Sequence, residues 1–141
     1  MQVPNEILNY IADSMEAHEK CYINKQTLEV VTIPDDFMFD GDLDPSLWKE
    51  EQAKIKADKR NFIEIDKMNS RRAFEIIEEF VNSLPNSFTK RKLLESIDGP
   101  KPFARFKHQI ENSGTERELW FAFRRKKNID WVQEQLDLIS T

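Results

Sequence analysis

The sequence predicts an α+β protein: an N-terminal helix, a small antiparallel sheet made of a hairpin plus one strand, then several short helices packed as a C-terminal bundle. Three observations predict it. Apolar residues recur at helical spacing near both ends of the chain. A β-branched run preceded by turn residues, and a short alternating segment, read as strands. Only three glycines occur in 141 residues, too few for a fold of many tight β turns or for a glycine-cradled phosphate site.

The elements follow in order. A helix is expected from Pro4 to about Ala17, with Pro4 in its first turn and Ile7, Leu8, Ile11, Ala12 and Met15 on one face. In "CYINKQTLEVVTIP", Tyr22 and Ile23 precede a turn at Asn24–Thr27, a strand runs from Leu28 to Ile33, and Pro34 stops it. "DDFMFDGDLD" is an acidic loop with five Asp, and Asp44 with Pro45 forms a helix start. The helix "SLWKEEQAKIKADK" carries few apolar residues, mainly Leu47, Trp48 and Ile55, and is expected on the surface. "NFIEID" alternates and reads as a strand able to join the hairpin.

From there the chain reads as helix. Asn69 or Ser70 caps "RRAFEIIEEFVNSL", with Ala73, Ile76, Ile77, Phe80, Val81 and Leu84 inward and Glu75, Glu78, Glu79 and Asn82 toward water. "LPNS" breaks it and caps "FTKRKLLESI", which ends at Asp98 and Gly99. Pro100 and Pro102 open "FARFKHQIEN", closed by Ser113 and Gly114, and Thr115 with Glu118 reads as a capping box for the next helix. Leu119, Trp120 and Phe123 share one face, whereas Val132, Leu136 and Ile139 fall on another. That phase shift predicts a break near Asn128, with Asp130 capping a last helix and Gln133 completing its box.

A chain of this length can bury one sizeable core, and a single domain over 1–141 is expected, with residues from about 35 to 58 an inserted acidic loop and helix. Ten Phe and three Trp among 33% charged residues describe a folded but wet protein. The lone Cys21 has no internal disulfide partner and packs as a small apolar residue. No basic leader precedes an apolar stretch, and no apolar run reaches the roughly 20 residues of a bilayer span, so a cytoplasmic protein without membrane association is expected. The net charge of −5 is uneven. Residues 1–68 hold 15 acidic and 8 basic side chains, a balance of −7, and residues 99–127 hold 8 basic and 3 acidic, a balance of +5.

"FIEIDKMNSRRAFEIIEEFVNSLPN", "KLLESIDGPKPFARFKHQIEN" and "ELWFAFRRKKNIDWVQEQL" resemble, in that order, a bacterial family of the UPF type (number 0158) known only as uncharacterised. Its members share a "Y-I-E-I-P" strand, a "G-x-x-x-F-R-R-F-K-D" segment, a "W-Y-x-F" and a "W-L". Phe103, Arg105, Phe106 and Lys107 match the "F-x-R-F-K" core, Trp120 and Phe123 the "W-x-x-F", and Trp131 the tryptophan of "W-L". The hairpin is similar to the family's "Y-x-L-D-x-x-T-G-E-V". The chain departs from the pattern at Ala104, where the family has a second Arg, at His108 for its Asp, and at Leu28 for the hairpin Gly. The resemblance implies a fold and no activity, and transfers no catalytic residue.

The aromatic–basic stretch carries the functional reading. Phe103, Phe106 and Ile110 stand at i, i+3 and i+7 and point inward, as do Leu119, Trp120 and Phe123, leaving only Phe121 outward. Arg124 to Lys127 then run off a last helical turn, where each cation complements the helix dipole by roughly 0.3–1 kcal/mol. Arg105 either forms a bidentate pair with Glu75 or Glu79 or stands ready for a ligand. The binding residues expected are Arg105, Lys107, Arg124 and Arg125. Asp40, Asp42, Asp44 and Glu51 have the spacing of a calcium loop, but Pro45 occupies the position that needs a positive φ, so a solvated acidic loop is favoured. His18 and His108 have no neighbouring nucleophile in sequence, and no spacing suggests zinc; no catalytic residue, metal or cofactor is assigned.

The favoured reading is a small non-enzymatic binding or adaptor module whose basic C-terminal face takes an acidic protein or anionic ligand. A nucleic-acid-associated protein is the alternative, weakened by the overall acidic charge and by inward rings. A hydrolase acting on a phosphorylated substrate stands third.

Overall fold

The computed structural model describes residues 1–35 and 45–139. The fold is α+β, and the described residues cluster into two compact units, one within Met1–Lys67 and Ile129–Thr141, the other Met68–Asn128.

The first unit holds α1 (Asn5–Glu16), the hairpin strands β1 (Glu19–Asn24) and β2 (Val30–Pro34), a 3-10 turn at Pro45–Trp48, α2 (Lys49–Ala57) and β3 (Phe62–Glu64). The sheet order is β2-β1-β3, antiparallel throughout, with Cys21 opposite Thr32 and Ile23 opposite both Val30 and Ile63. The alternating segment thus joins the hairpin as the sequence predicts. Asn24 fixes the turn: its Oδ1 accepts from the backbone N–H of Gln26 at 2.9 Å and Thr27 at 3.1 Å, an Asx turn, and its Nδ2 donates to Asp58 at 2.9 Å.

The second strand begins at Val30 and not at Leu28. Leu28 closes the turn through its N–H to the Asn24 carbonyl at 2.7 Å and takes φ +66°. A β-branched or bulky residue pays steric strain in that left-handed region, on the order of 1–2 kcal/mol. Its half-buried side chain packs against the core in return. This is the position where the resembled family has Gly, so the departure falls where glycine's freedom has a use.

The core of this unit joins Leu8, Ile11 and Ala12 of α1 to Cys21, Ile23, Ile65, Val132 and Leu136. The face read for the first helix is the one buried. α2 buries none of its residues, as its composition predicts. Cys21 is fully buried, and burial, followed by the nearby Glu19 charge, pushes its thiol up to about 12. A thiolate is the reactive form. Alkylation of the native protein at neutral pH is therefore expected to leave Cys21 unmodified until urea opens this unit. Mass spectrometry showing rapid native-state labelling would contradict its placement. Asp40, Asp42 and Asp44, and with them the calcium-like spacing, lie outside the described residues.

The second unit holds α3 (Ser70–Ser83), α4 (Phe88–Ile97), α5 (Pro102–Glu111) and the first part of α6 (Thr115–Leu138). The caps are local and sequence-encoded. Asn69 accepts from Arg72 N–H at 2.8 Å, Ser87 accepts from Lys90 N–H at 3.1 Å, and Pro102 occupies N1 of α5. Ile76, Ile77, Phe80, Val81 and Leu84 of α3 pack with Leu93, Phe106, Ile110 and Trp120.

The expected break near Asn128 does not occur: α6 is one helix of 24 residues and not two short ones. Its apolar stripes are out of phase because they are buried in different places. Trp120 and Phe123 belong to the core of the second unit, Val132 and Leu136 to that of the first. A phase shift marks a break only when both stripes must reach one core. Asp130 is accordingly mid-helix and caps nothing, and Gln133 donates to Asp137 at 2.9 Å along the same helix. Thr115 is the first helical residue and not the cap before it. No helix among the described residues is long and apolar enough to cross a membrane.

Candidate functional site

The residues that connect α4 to α5 border a groove in the second unit. α4 ends at Ile97, and Gly99 takes φ +112°, open to glycine at little cost. A Cβ at Gly99 would also stand 3.3 Å from Nη1 of Arg105. Pro100 follows, then Lys101 at φ +51°, then Pro102. A lysine in the left-handed region between two prolines is strained, and such strain persists only where the surroundings hold it.

Arg105, in the first turn of α5, supplies part of that hold. Its Nη1 donates to the Asp98 carbonyl at 2.9 Å and its Nη2 to the Glu95 carbonyl at 3.0 Å. The fork caps the Asp98 carbonyl, adds a second donor to the Glu95 carbonyl that the Asp98 N–H reaches at 3.3 Å, and sets a positive charge at the negative end of the α4 dipole. The carboxylate pairing expected with Glu75 or Glu79 is not formed. Those carboxylates belong to an ion-pair network along α3, in which Arg72 reaches Glu75 at 3.4 Å and Glu79 at 3.1 Å, and Lys127 reaches Glu79 at 3.2 Å. Hydrogen bonds from Arg72 and then Lys127 hold the Glu79 carboxyl below its usual range.

Around this connection lies a groove of about 530 Å³. Lys92, Glu95 and Ser96 of α4 line one wall, and Ala104, Arg105, His108 and Gln109 of α5 the other, with Pro100 and Lys101 at one end. Ser96 is buried and turns its hydroxyl back to the Leu93 carbonyl at 2.6 Å. Three basic side chains, Lys92, Lys101 and Arg105, face a single carboxylate, Glu95, which lies 3.8 Å from Lys92. Ala104 and His108, two of the three departures from the resembled pattern, both line this groove, and the small Ala104 leaves room in it.

Of the four binding residues expected from sequence, Arg105 alone lines the groove. Lys107 and Arg125 are exposed on α5 and α6. Arg124 is half-buried, its guanidinium 5.6 Å from the Trp120 ring centre and 5.7 Å from that of Phe121. Arg124 to Lys127 do not run off a helix end, since α6 continues to Leu138, so no terminal dipole acts on them there. Lys92 and Lys101 were missed because no sequence pattern joins the middle of one helix to the entry of the next. The confinement of Lys101 between two prolines was the available signal.

The rings are partly as expected. Phe106 is 2% exposed and Trp120 6%, with centroids 5.0 Å apart, edge to face, and Phe80 lies 5.2 Å from Trp120. Phe103, expected inward, is 42% exposed and leans edge-on against Phe74 at 6.1 Å, and Leu119 is exposed as well. Phe121, expected outward, packs half-buried against the core with Arg117 4.6 Å above its ring. Among the described residues no group of three or more His, Cys, Asp or Glu side chains could hold a metal ion.

The sequence model of the family described as Uncharacterised protein family (UPF0158) matches residues 5–139. No curated protein and no solved structure matches the chain.

Proposed function

The chain belongs to the uncharacterised protein family UPF0158, and from that premise we propose that it is a non-enzymatic binding module that takes an acidic segment of a partner protein into the α4–α5 groove. The observation that carries the reading is the charge of the groove: Lys92, Lys101 and Arg105 against Glu95 alone, in a chain whose net charge is −5. A volume of about 530 Å³ lies within the range of ligand sites and admits a few side chains of an extended peptide. Arg105 is already fixed by its bonds to the α4 carbonyls, so its remaining donors are positioned before a carboxylate arrives.

An acidic peptide is favoured over nucleic acid by the rings. Phe106 and Trp120 are buried, and no Phe, Tyr or Trp lines the groove, so it lacks the row of large rings on which successive bases stack in single-strand binders. The test is fluorescence anisotropy with a labelled oligoglutamate peptide and an oligonucleotide of similar charge. Saturable peptide binding is expected, weakened about tenfold in a Lys92→Glu, Lys101→Glu variant, which is about 1.4 kcal/mol. Arg105 is left intact because it holds α4. Absence of saturable binding, or equal binding by the variant, would overturn the reading. Tighter, steeply salt-dependent oligonucleotide binding would favour nucleic acid instead.

A further inference from the structure

We propose that a second cavity, within the unit of residues 68–128, is a binding site for a small apolar carboxylate. It has a volume of about 170 Å³ and shares no lining residue with the groove, so it stands or falls on its own. Trp120, Arg124 and Asn128 line it from α6. They stand four residues apart and so fall on one face of that helix. Ala73, Ile76 and Ile77 line it from α3, and Met68 and Phe103 complete it.

Chemistry and size point to the ligand together. Most of the wall is hydrocarbon or aromatic ring, and an apolar cavity near 150 Å³ accepts a benzene-sized body. The polar contributions come from Arg124 and Asn128, one helical turn apart. A guanidinium presents paired N–H donors in the geometry of a carboxylate, and the Asn amide adds a donor beside it. Trp120, whose ring centre lies 5.6 Å from the Arg124 guanidinium carbon, forms both part of the apolar wall and a support for that charge. An apolar body with one carboxylate end, of about the size of benzoate, matches both halves.

The site owes its space to Ala73, the smallest side chain in its lining. The experiment is a titration of the full chain with sodium benzoate and with benzyl alcohol, its neutral counterpart, followed by amide chemical shifts. Benzoate is expected to give saturable shifts at millimolar concentration centred on Ala73, Ile76, Arg124 and Asn128, and benzyl alcohol to bind about tenfold more weakly. Ala73→Met, which fills the cavity, is expected to abolish the shifts while the spectrum stays dispersed. Arg124→Gln, which keeps a polar side chain and removes the charge, is expected to lose about tenfold for benzoate and nothing for benzyl alcohol, and serves alone if the Met variant fails to fold. Absence of saturable shifts, equal binding of the two probes, or benzoate binding unchanged in a folded Ala73→Met or in Arg124→Gln would overturn the proposal.

Discussion

Replacing Trp120 with alanine is expected to lower the unfolding free energy by about 3–5 kcal/mol, the usual cost of removing a large buried ring. Trp120 is 6% exposed and belongs to the core of the second unit. Phe80 and Phe106 lie within 5.2 Å of it, ring centre to ring centre, and Phe123 stacks at 6.5 Å. The truncation removes one partner from each of these pairs and leaves a void among them. Against a total stability of about 5–15 kcal/mol, the variant would be close to unfolding. Phe103→Ala should cost far less, since that ring is 42% exposed and meets Phe74 at its edge. Urea unfolding of both variants checks this. A loss at Trp120 below about 1 kcal/mol, no larger than at a half-exposed site, would contradict the burial described.

The second large effect is expected at Asn128→Pro. Within a continuous α6 the substitution removes a backbone donor and drives the ring against the preceding turn, at a cost of about 3 kcal/mol or more. Had the helix been interrupted near Asn128, as the shift in apolar phase predicts, proline would be accepted there, because residue 128 would lie in the connection before the Asp130 cap, where its N–H serves no helical bond. Asn128→Ala is the control, expected to be neutral or to stabilise by a few tenths of a kcal/mol through helix propensity. Circular dichroism and unfolding free energies separate the two cases. A well-folded proline variant of unchanged stability would show that α6 is interrupted.

These two residues mark what could be read in the sequence and what could not. The inner face of α3 was legible because Ala73, Ile76, Ile77, Phe80, Val81 and Leu84 follow one helical period, and Asn69 and Ser87 are caps that act within three residues. The hairpin and β3 were legible because β-branched runs and a turn-forming Asn are local signals. The continuity of α6 was not, since periodicity assumes one buried side and this helix supplies Trp120 to one core and Leu136 to another. Nor was Leu28, because a bulky residue at φ +66° breaks the preference that sequence reading relies on.

The site was legible in its charge and not in its geometry. Arg105 was identified, but its partners are the carbonyls of Glu95 and Asp98, and backbone groups leave no trace in a search for paired side chains. Lys92 reaches the groove from the middle of α4 and Lys101 from the turn after it, a juxtaposition that exists only once Gly99, Pro100 and Pro102 have folded the chain back. Arg124, expected on a solvated basic rim, instead lies half-buried over Trp120 and Phe121.

The measurement that bears most directly on the groove is an amide chemical-shift map of the protein titrated with oligoglutamate. The largest changes are expected at Lys92, Glu95, Lys101, Arg105 and His108, saturating together on one binding curve. Changes that centre instead on Arg125 and Lys126 of α6, or that scatter over the lysines of α2 without saturating, would contradict the account.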